Sequence, residues 1–111
     1  MVSSMNINNM ITYLKEEKLE DLTKEGTIIV DFYADWCGPC RSLAVELEKL
    51  VEENHDIKIV KIDVDAHEEI ARTHKVMSIP TILLYSNGEV VKKQVGALDK
   101  EELLSWITIS E

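Results

Sequence analysis

ADWCGPCR, Ala34 to Arg41, lies between two segments of opposite character. Before it, TIIVDFY (Thr27 to Tyr33) is β-branched and aromatic, the composition of a buried strand. After it, Leu43, Ala44, Leu47, Leu50 and Val51 recur at helical spacing from Pro39 to about Glu53. Glu46, Glu48, Lys49, Glu52 and Glu53 take the other positions. The stretch is therefore a strand-to-helix junction, and it holds both cysteines of the chain, Cys37 and Cys40.

Reading outward, IKIVKIDV (Ile57 to Val64) is a second strand, and Asp65 with Glu68 forms a D-x-x-E capping signal for a short helix through about His74. TILLYS (Thr81 to Ser86) and EVVKKQV (Glu89 to Val95) flank Asn87-Gly88, a strong hairpin signal because a type I′ turn needs positive φ at both central residues. Asp99 and Glu102 cap a last helix, with Leu98 and Leu103 as its hydrophobic staple and Leu103, Trp106 and Ile107 as its apolar face. Leu19 and Leu22 mark a short helix ending at Gly26, and Met10 to Leu14 fits either a short strand or a first helical turn. Crossover helices imply parallel pairing in the middle of the sheet, and the hairpin adds an antiparallel edge. The fold class is α/β, a three-layer α/β/α sandwich around a central mixed sheet. Residues 1–9, rich in Ser and Asn, read as a loose arm before a domain over 10–111.

The 111 residues suffice for one domain. A net charge of −9, from 21 acidic and 12 basic residues, argues against nucleic acid or anionic membrane as partner. No run reaches the roughly 18 apolar residues of a membrane span. MVSSMNINNMITYLKEE has neither a basic n-region nor an apolar h-region, so a cytoplasmic location is expected.

Cys37 and Cys40 fit half a metal site, a structural staple or a redox centre. A zinc site needs a second ligand pair, and His55, His67 and His74 do not have the spacing of one, so no metal is expected. A static bridge is unusual where thiols are kept reduced, and a loop this short stabilises little. The redox reading has a physical basis. The first turn of a helix presents free N–H groups and a positive dipole end, both of which favour the reactive thiolate. Pro39 suits that turn because its missing N–H costs nothing there. A Cys-x-x-Cys beside a βαβ pattern is itself a redox signature.

VDFYADWCGPC resembles the active-site segment of the thioredoxin family. SIPT at Ser78 to Thr81 resembles its proline loop, and NGE at Asn87 to Glu89 and VGAL at Val95 to Leu98 match its pattern. The resemblance spans roughly residues 10 to 110. It implies a thioredoxin fold, with Cys37 as attacking nucleophile and Cys40 as resolving thiol. The expected cofactor set is no bound group, only a redox-active Cys37–Cys40 disulfide. Gly38 and Pro39 between the cysteines resemble the reducing members rather than those with His there, which implies a reductant.

The resemblance also assigns supporting roles. Asp31 interrupts an apolar strand; pointing inward it would have a raised pKa and could take the Cys40 proton, and on a solvated face it would do neither. Lys61 is placed near Asp31, although a strand lysine is more often plain surface. Ile79-Pro80 is expected to be cis, exposing backbone that pairs with an extended substrate. Trp36 is expected at the substrate-facing surface, and Gly96 to supply an unusual φ or a close approach for the substrate groove. Met77 borders the groove or lies in the core. Trp106 belongs to the core.

Four positions depart from the common pattern. Tyr33 stands where many relatives carry Trp, and Val45 where a helix-kinking Pro is frequent, so a straighter helix is expected. Arg41 replaces a frequent Lys, and Ser78 a frequent Gly.

The resemblance implies recharging by a thioredoxin reductase. Implied substrates are disulfide-containing proteins such as peroxiredoxins, ribonucleotide reductase or methionine sulfoxide reductases. A monomer is expected. Two rival readings are a dedicated thioredoxin-like donor to one partner and a thioredoxin-fold binding subunit with dispensable cysteines.

Overall fold

A computed structural model describes residues 10–108, so the arm expected over residues 1–9 lies outside the described residues. Five strands form one sheet in the order β1-β3-β2-β4-β5. They are β1 (Ile11–Tyr13), β2 (Thr27–Tyr33), β3 (Ile57–Asp63), β4 (Thr81–Ser86) and β5 (Glu89–Val95). The four described helices are α1 (Leu19–Thr23), α2 (Gly38–Glu53), α3 (Glu68–Thr73) and α4 (Lys100–Thr108). Strand β3 pairs in parallel with both β1 and β2, whereas β2–β4 and β4–β5 are antiparallel. This is the expected mixed sheet of a thioredoxin-like sandwich.

Alternation along the central strands explains the layers. Ile29 of β2, Ile57 and Ile59 of β3, and Ile82 and Leu84 of β4 share a core with Leu43, Leu47, Leu50 and Val51 of α2 and Leu103 and Trp106 of α4. Ile28, Val30 and Phe32 of β2 point the other way, to a core with Leu19 of α1 and Ala71 of α3. A strand covered on both faces cannot alternate apolar with polar, which is why TIIVDFY reads as a continuous apolar run. Each fully buried Leu, Ile or Phe contributes about 1.5–3 kcal/mol relative to exposure. The polar exception in β2, Asp31, is spaced two residues from Ile29 and so faces the α2 side.

The termini of the elements follow local chemistry. Asp99 and Glu102 form the reciprocal capping box at α4, with side-chain to backbone N–H distances of 2.8 and 2.9 Å. Asn87 and Gly88 take φ of 49° and 92°, as the β4–β5 turn requires. With Val45 in place, α2 runs as one continuous segment of 16 residues. Met10 to Leu14 resolves to the strand β1.

The capping signal at Asp65 and Glu68 is not realised: α3 starts at Glu68 after His67, with no side-chain cap. Asp63 organises the turn instead. Its carboxylate accepts the Asp65 N–H at 2.9 Å, and its carbonyl accepts the N–H groups of Ala66 and His67. The helix therefore begins only after that turn closes.

Candidate active site

Strand β2 ends under the start of α2 and delivers Cys37 to the N-cap of that helix, in extended backbone conformation. Pro39 occupies the first turn. Cys37 and Cys40 form a disulfide, with Cα atoms 5.2 Å apart. Cys37 Sγ accepts the Cys40 backbone N–H at 3.2 Å, so one of the unpaired donors of the helix start already points at this sulfur. Both cysteines are buried, packed with Ala34, Tyr33, Val64 and Ile79. The Arg41 guanidinium donates to the Asp35 carbonyl at 2.9 Å, across the outside of the same turn.

Opposite the disulfide, the Ile79-Pro80 peptide bond is cis. The Ile79 carbonyl oxygen lies 3.9 Å from Cys37 Sγ. Ile79 is partly exposed and Pro80 is buried. Gly96 packs beside this loop, its N–H donating to the Pro80 carbonyl at 2.8 Å. Its φ of +100° is the unusual conformation, and a Cβ there would meet nothing within 4 Å, so conformation rather than close approach accounts for the glycine.

An open groove of about 430 Å³ runs from Trp36 past Val64 and Val76 to Met77 and Ile79. Trp36 is 70% exposed, and its indole N–H donates to Asp65 at 2.9 Å. That bond is the role Asp65 takes in place of a helix cap. Met77 is 92% exposed, which excludes the core alternative, while Trp106 is buried as expected.

Within β2, Asp31 is fully buried, so the solvated-face alternative falls. Lys61 stands beside it in register and is only 6% exposed, with Nζ 3.4 Å from Asp31 Oδ2. Among the described residues neither Asp31 oxygen has a directed hydrogen bond, so the contact is a Coulombic pair. Burial pushes the Asp31 carboxyl up to about 6, and the Lys61 ammonium opposes that rise. A smaller cleft of about 180 Å³ reaches from Cys40 to Lys61 between Tyr13, Tyr33 and Arg41.

Sequence reasoning missed Tyr13 and Asp65 as members of this site. Tyr13 carries no motif and comes to the site only because β1 pairs with β3, opposite Lys61.

Two cysteines joined at a helix start and flanked by an open apolar groove have one chemistry: exchange of two electrons between a dithiol and a disulfide. Among the described residues no group of three or more His, Cys, Asp or Glu side chains could hold a metal ion. The class is a thiol–disulfide oxidoreductase.

The chain belongs to the thioredoxin family, whose model, described as Thioredoxin, matches residues 10–109. It is 52% identical over 82 residues to the thioredoxin of Bacillus subtilis, covering 73% of this chain and 79% of that one. It is 45% identical over 95 residues to the thioredoxin of Listeria monocytogenes, covering 85% and 92%. Among solved structures, a point-mutant thioredoxin from Halobacterium salinarum superposes with a TM-score of 0.82 at 35% identity, covering 93% of each chain. Oxidised mitochondrial thioredoxin 3 from Saccharomyces cerevisiae gives 0.80 at 33% identity, covering 93% of this chain and 97% of that one. The family acts on disulfide-containing proteins and is restored by a reductase. Among the described residues no helix is long and apolar enough to cross a membrane.

Proposed function

We propose that the chain is a general protein-disulfide reductase of the cytoplasm. The observation that carries the reading is the Cys40 N–H aimed at Cys37 Sγ at the start of a long helix. After reduction the same donor and the helix dipole favour a thiolate at Cys37. That thiolate attacks a substrate disulfide, one substrate sulfur leaves as thiolate, and a mixed disulfide remains. Cys40 then gives its proton to Asp31 and attacks Cys37 Sγ, releasing the second substrate thiolate and closing the Cys37–Cys40 bond.

Asp31 suits the acceptor role because a carboxyl near 6 holds or yields a proton close to neutral pH, and Lys61 balances its charge once ionised. Gly38 and Pro39 leave the thiolate without a cationic neighbour between the cysteines, which favours a reductant. Trp36, Ile79, Pro80 and Gly96 line the side on which an extended substrate segment would dock.

A thioredoxin reductase is the proposed source of electrons. Peroxiredoxins, ribonucleotide reductase and methionine sulfoxide reductases are the proposed substrates of a monomeric protein. A redox-inactive binding subunit is not favoured, since Cys37, Cys40, Asp31 and cis Pro80 are all in place and a pure scaffold needs none of them. A dedicated donor would differ in trapping one substrate rather than many with Cys40→Ser.

The test is reduction of insulin disulfides driven by candidate reductases of the same cell. Sustained turnover with one of them is expected. A protein that binds partners equally well with both cysteines replaced by Ser, and that no reductase drives, contradicts the reading.

A further inference from the structure

The Asp31–Lys61 pair is held from a direction that the disulfide chemistry does not require. Lys61 Nζ lies 4.6 Å from the centroid of the Tyr33 ring and 5.7 Å from that of Tyr13. The two rings meet edge to face, with centroids 6.3 Å apart. An ammonium over aromatic faces is attracted by the ring quadrupoles, most strongly where water is excluded. Lys61 is thus fixed on one side by Asp31 and on the other by two rings. Its strand neighbours are Tyr13 of β1 and Asp31 of β2.

The same two rings, with Cys40, form walls of the cleft that leads to Lys61. We propose that Tyr13 and Tyr33 are positioning residues that clamp the Lys61 ammonium against Asp31 and thereby set the pH at which Asp31 can accept the Cys40 proton. The kinetic part of this proposal rests on the proton-acceptor reading above.

The charged and titratable groups around the pair come from every neighbouring element: Tyr13 on β1, Asp31 and Tyr33 on β2, Asp35 in the following turn, Cys40 and Arg41 on α2, and Lys61 and Asp63 on β3. Burial, followed by Asp63 and Asp35, pushes the Tyr33 hydroxyl up to about 12, so this ring stays neutral throughout the range in which Asp31 titrates. The Tyr33 face of the clamp is therefore constant over that range. Without the rings the ammonium is free to swing into the cleft, the carboxylate loses its nearest counter-charge, and Asp31 holds its proton to higher pH.

The experiment follows the Asp31 carboxyl by carbon NMR in the oxidised protein, alongside the pH profile of mixed-disulfide resolution. Three proteins are compared: the parent, the Tyr13→Leu/Tyr33→Leu variant and the Tyr13→Phe/Tyr33→Phe variant. The leucine pair should raise the Asp31 midpoint by about half a pH unit, roughly a threefold change in its proton equilibrium. The acid limb of the resolution profile should move with it. The phenylalanine pair keeps both faces and should restore the parent midpoint. Tyr13→Leu alone, at a side chain 51% exposed, should shift it in the same direction and remains informative if the double variant does not fold.

An unmoved or lowered midpoint in a folded leucine variant overturns the clamp. So does a phenylalanine pair that shifts as far as the leucine pair. A raised midpoint with an unmoved resolution profile upholds the clamp and instead overturns Asp31 as proton acceptor.

Discussion

Cys40→Ser should leave the first chemical step intact and stop the second. The variant is expected to form one equivalent of mixed disulfide per Cys37 and to lose steady-state disulfide reduction by roughly 10³-fold or more. The size follows from proximity. Cys40 stands one helical turn from Cys37, with Cα atoms 5.2 Å apart. Intramolecular attack at such a distance acts with an effective molarity of roughly 10⁵ M or higher, which millimolar external thiol cannot replace. Cys37→Ser should form no adduct, because the attacking sulfur beside the Ile79 carbonyl is gone. Mass spectrometry of the adduct and a turnover assay check both results. Turnover by Cys40→Ser near the parent rate would show that resolution does not use Cys40.

Asp31→Asn should change activity and stability in opposite directions at neutral pH. Removing the acceptor should slow resolution by about 10²-fold near pH 7, the lower end of what positioned acid–base groups contribute. Its stability effect has a defined sign. Asp31 keeps its proton to about pH 6 in the folded protein, whereas the unfolded chain releases it near the ordinary aspartate value of 3.8. Between these limits the native state binds more protons than the unfolded state, so stability falls as pH rises. The loss is complete above about pH 6 and absent below about pH 4, and its size is on the order of 3 kcal/mol.

Asparagine has no such titration. The stability of the variant relative to the parent should therefore climb by that amount from about pH 4 to about pH 7. Denaturant unfolding of the oxidised proteins, in which neither cysteine titrates, measures the difference. Parallel curves would contradict a buried carboxyl near 6.

What could be read from the sequence follows the range of the interactions concerned. Strands β2, β4 and β5 match the apolar runs and the Asn87-Gly88 turn to the residue, because pattern and turn chemistry are local there. The Asp99–Glu102 box is local in the same sense. The start of α3 departs from its Asp65 signal because two carboxylates compete: Asp63 takes the turn and Asp65 is drawn to the Trp36 indole, a contact 29 residues away in sequence. Lys61 carries no sign of burial, since a strand lysine is ordinarily solvated, and only its register with Asp31 explains its position. Tyr13 is the extreme case. Its role depends on its pairing with Lys61 across β1 and β3, which a strand of three residues does not announce.

We propose that the Gly38-Pro39 pair, which puts no cation between the cysteines, makes the Cys37–Cys40 couple a reductant, and the reduction potential of that couple is the decisive quantity. It is obtained by equilibration with glutathione buffers of defined poise, followed by alkylation and mass measurement of the two redox forms. The expected potential is more negative than about −240 mV, so that the reduced dithiol gives up its electrons to ordinary protein disulfides. A less negative value, towards the roughly −180 mV of a disulfide isomerase, would contradict it.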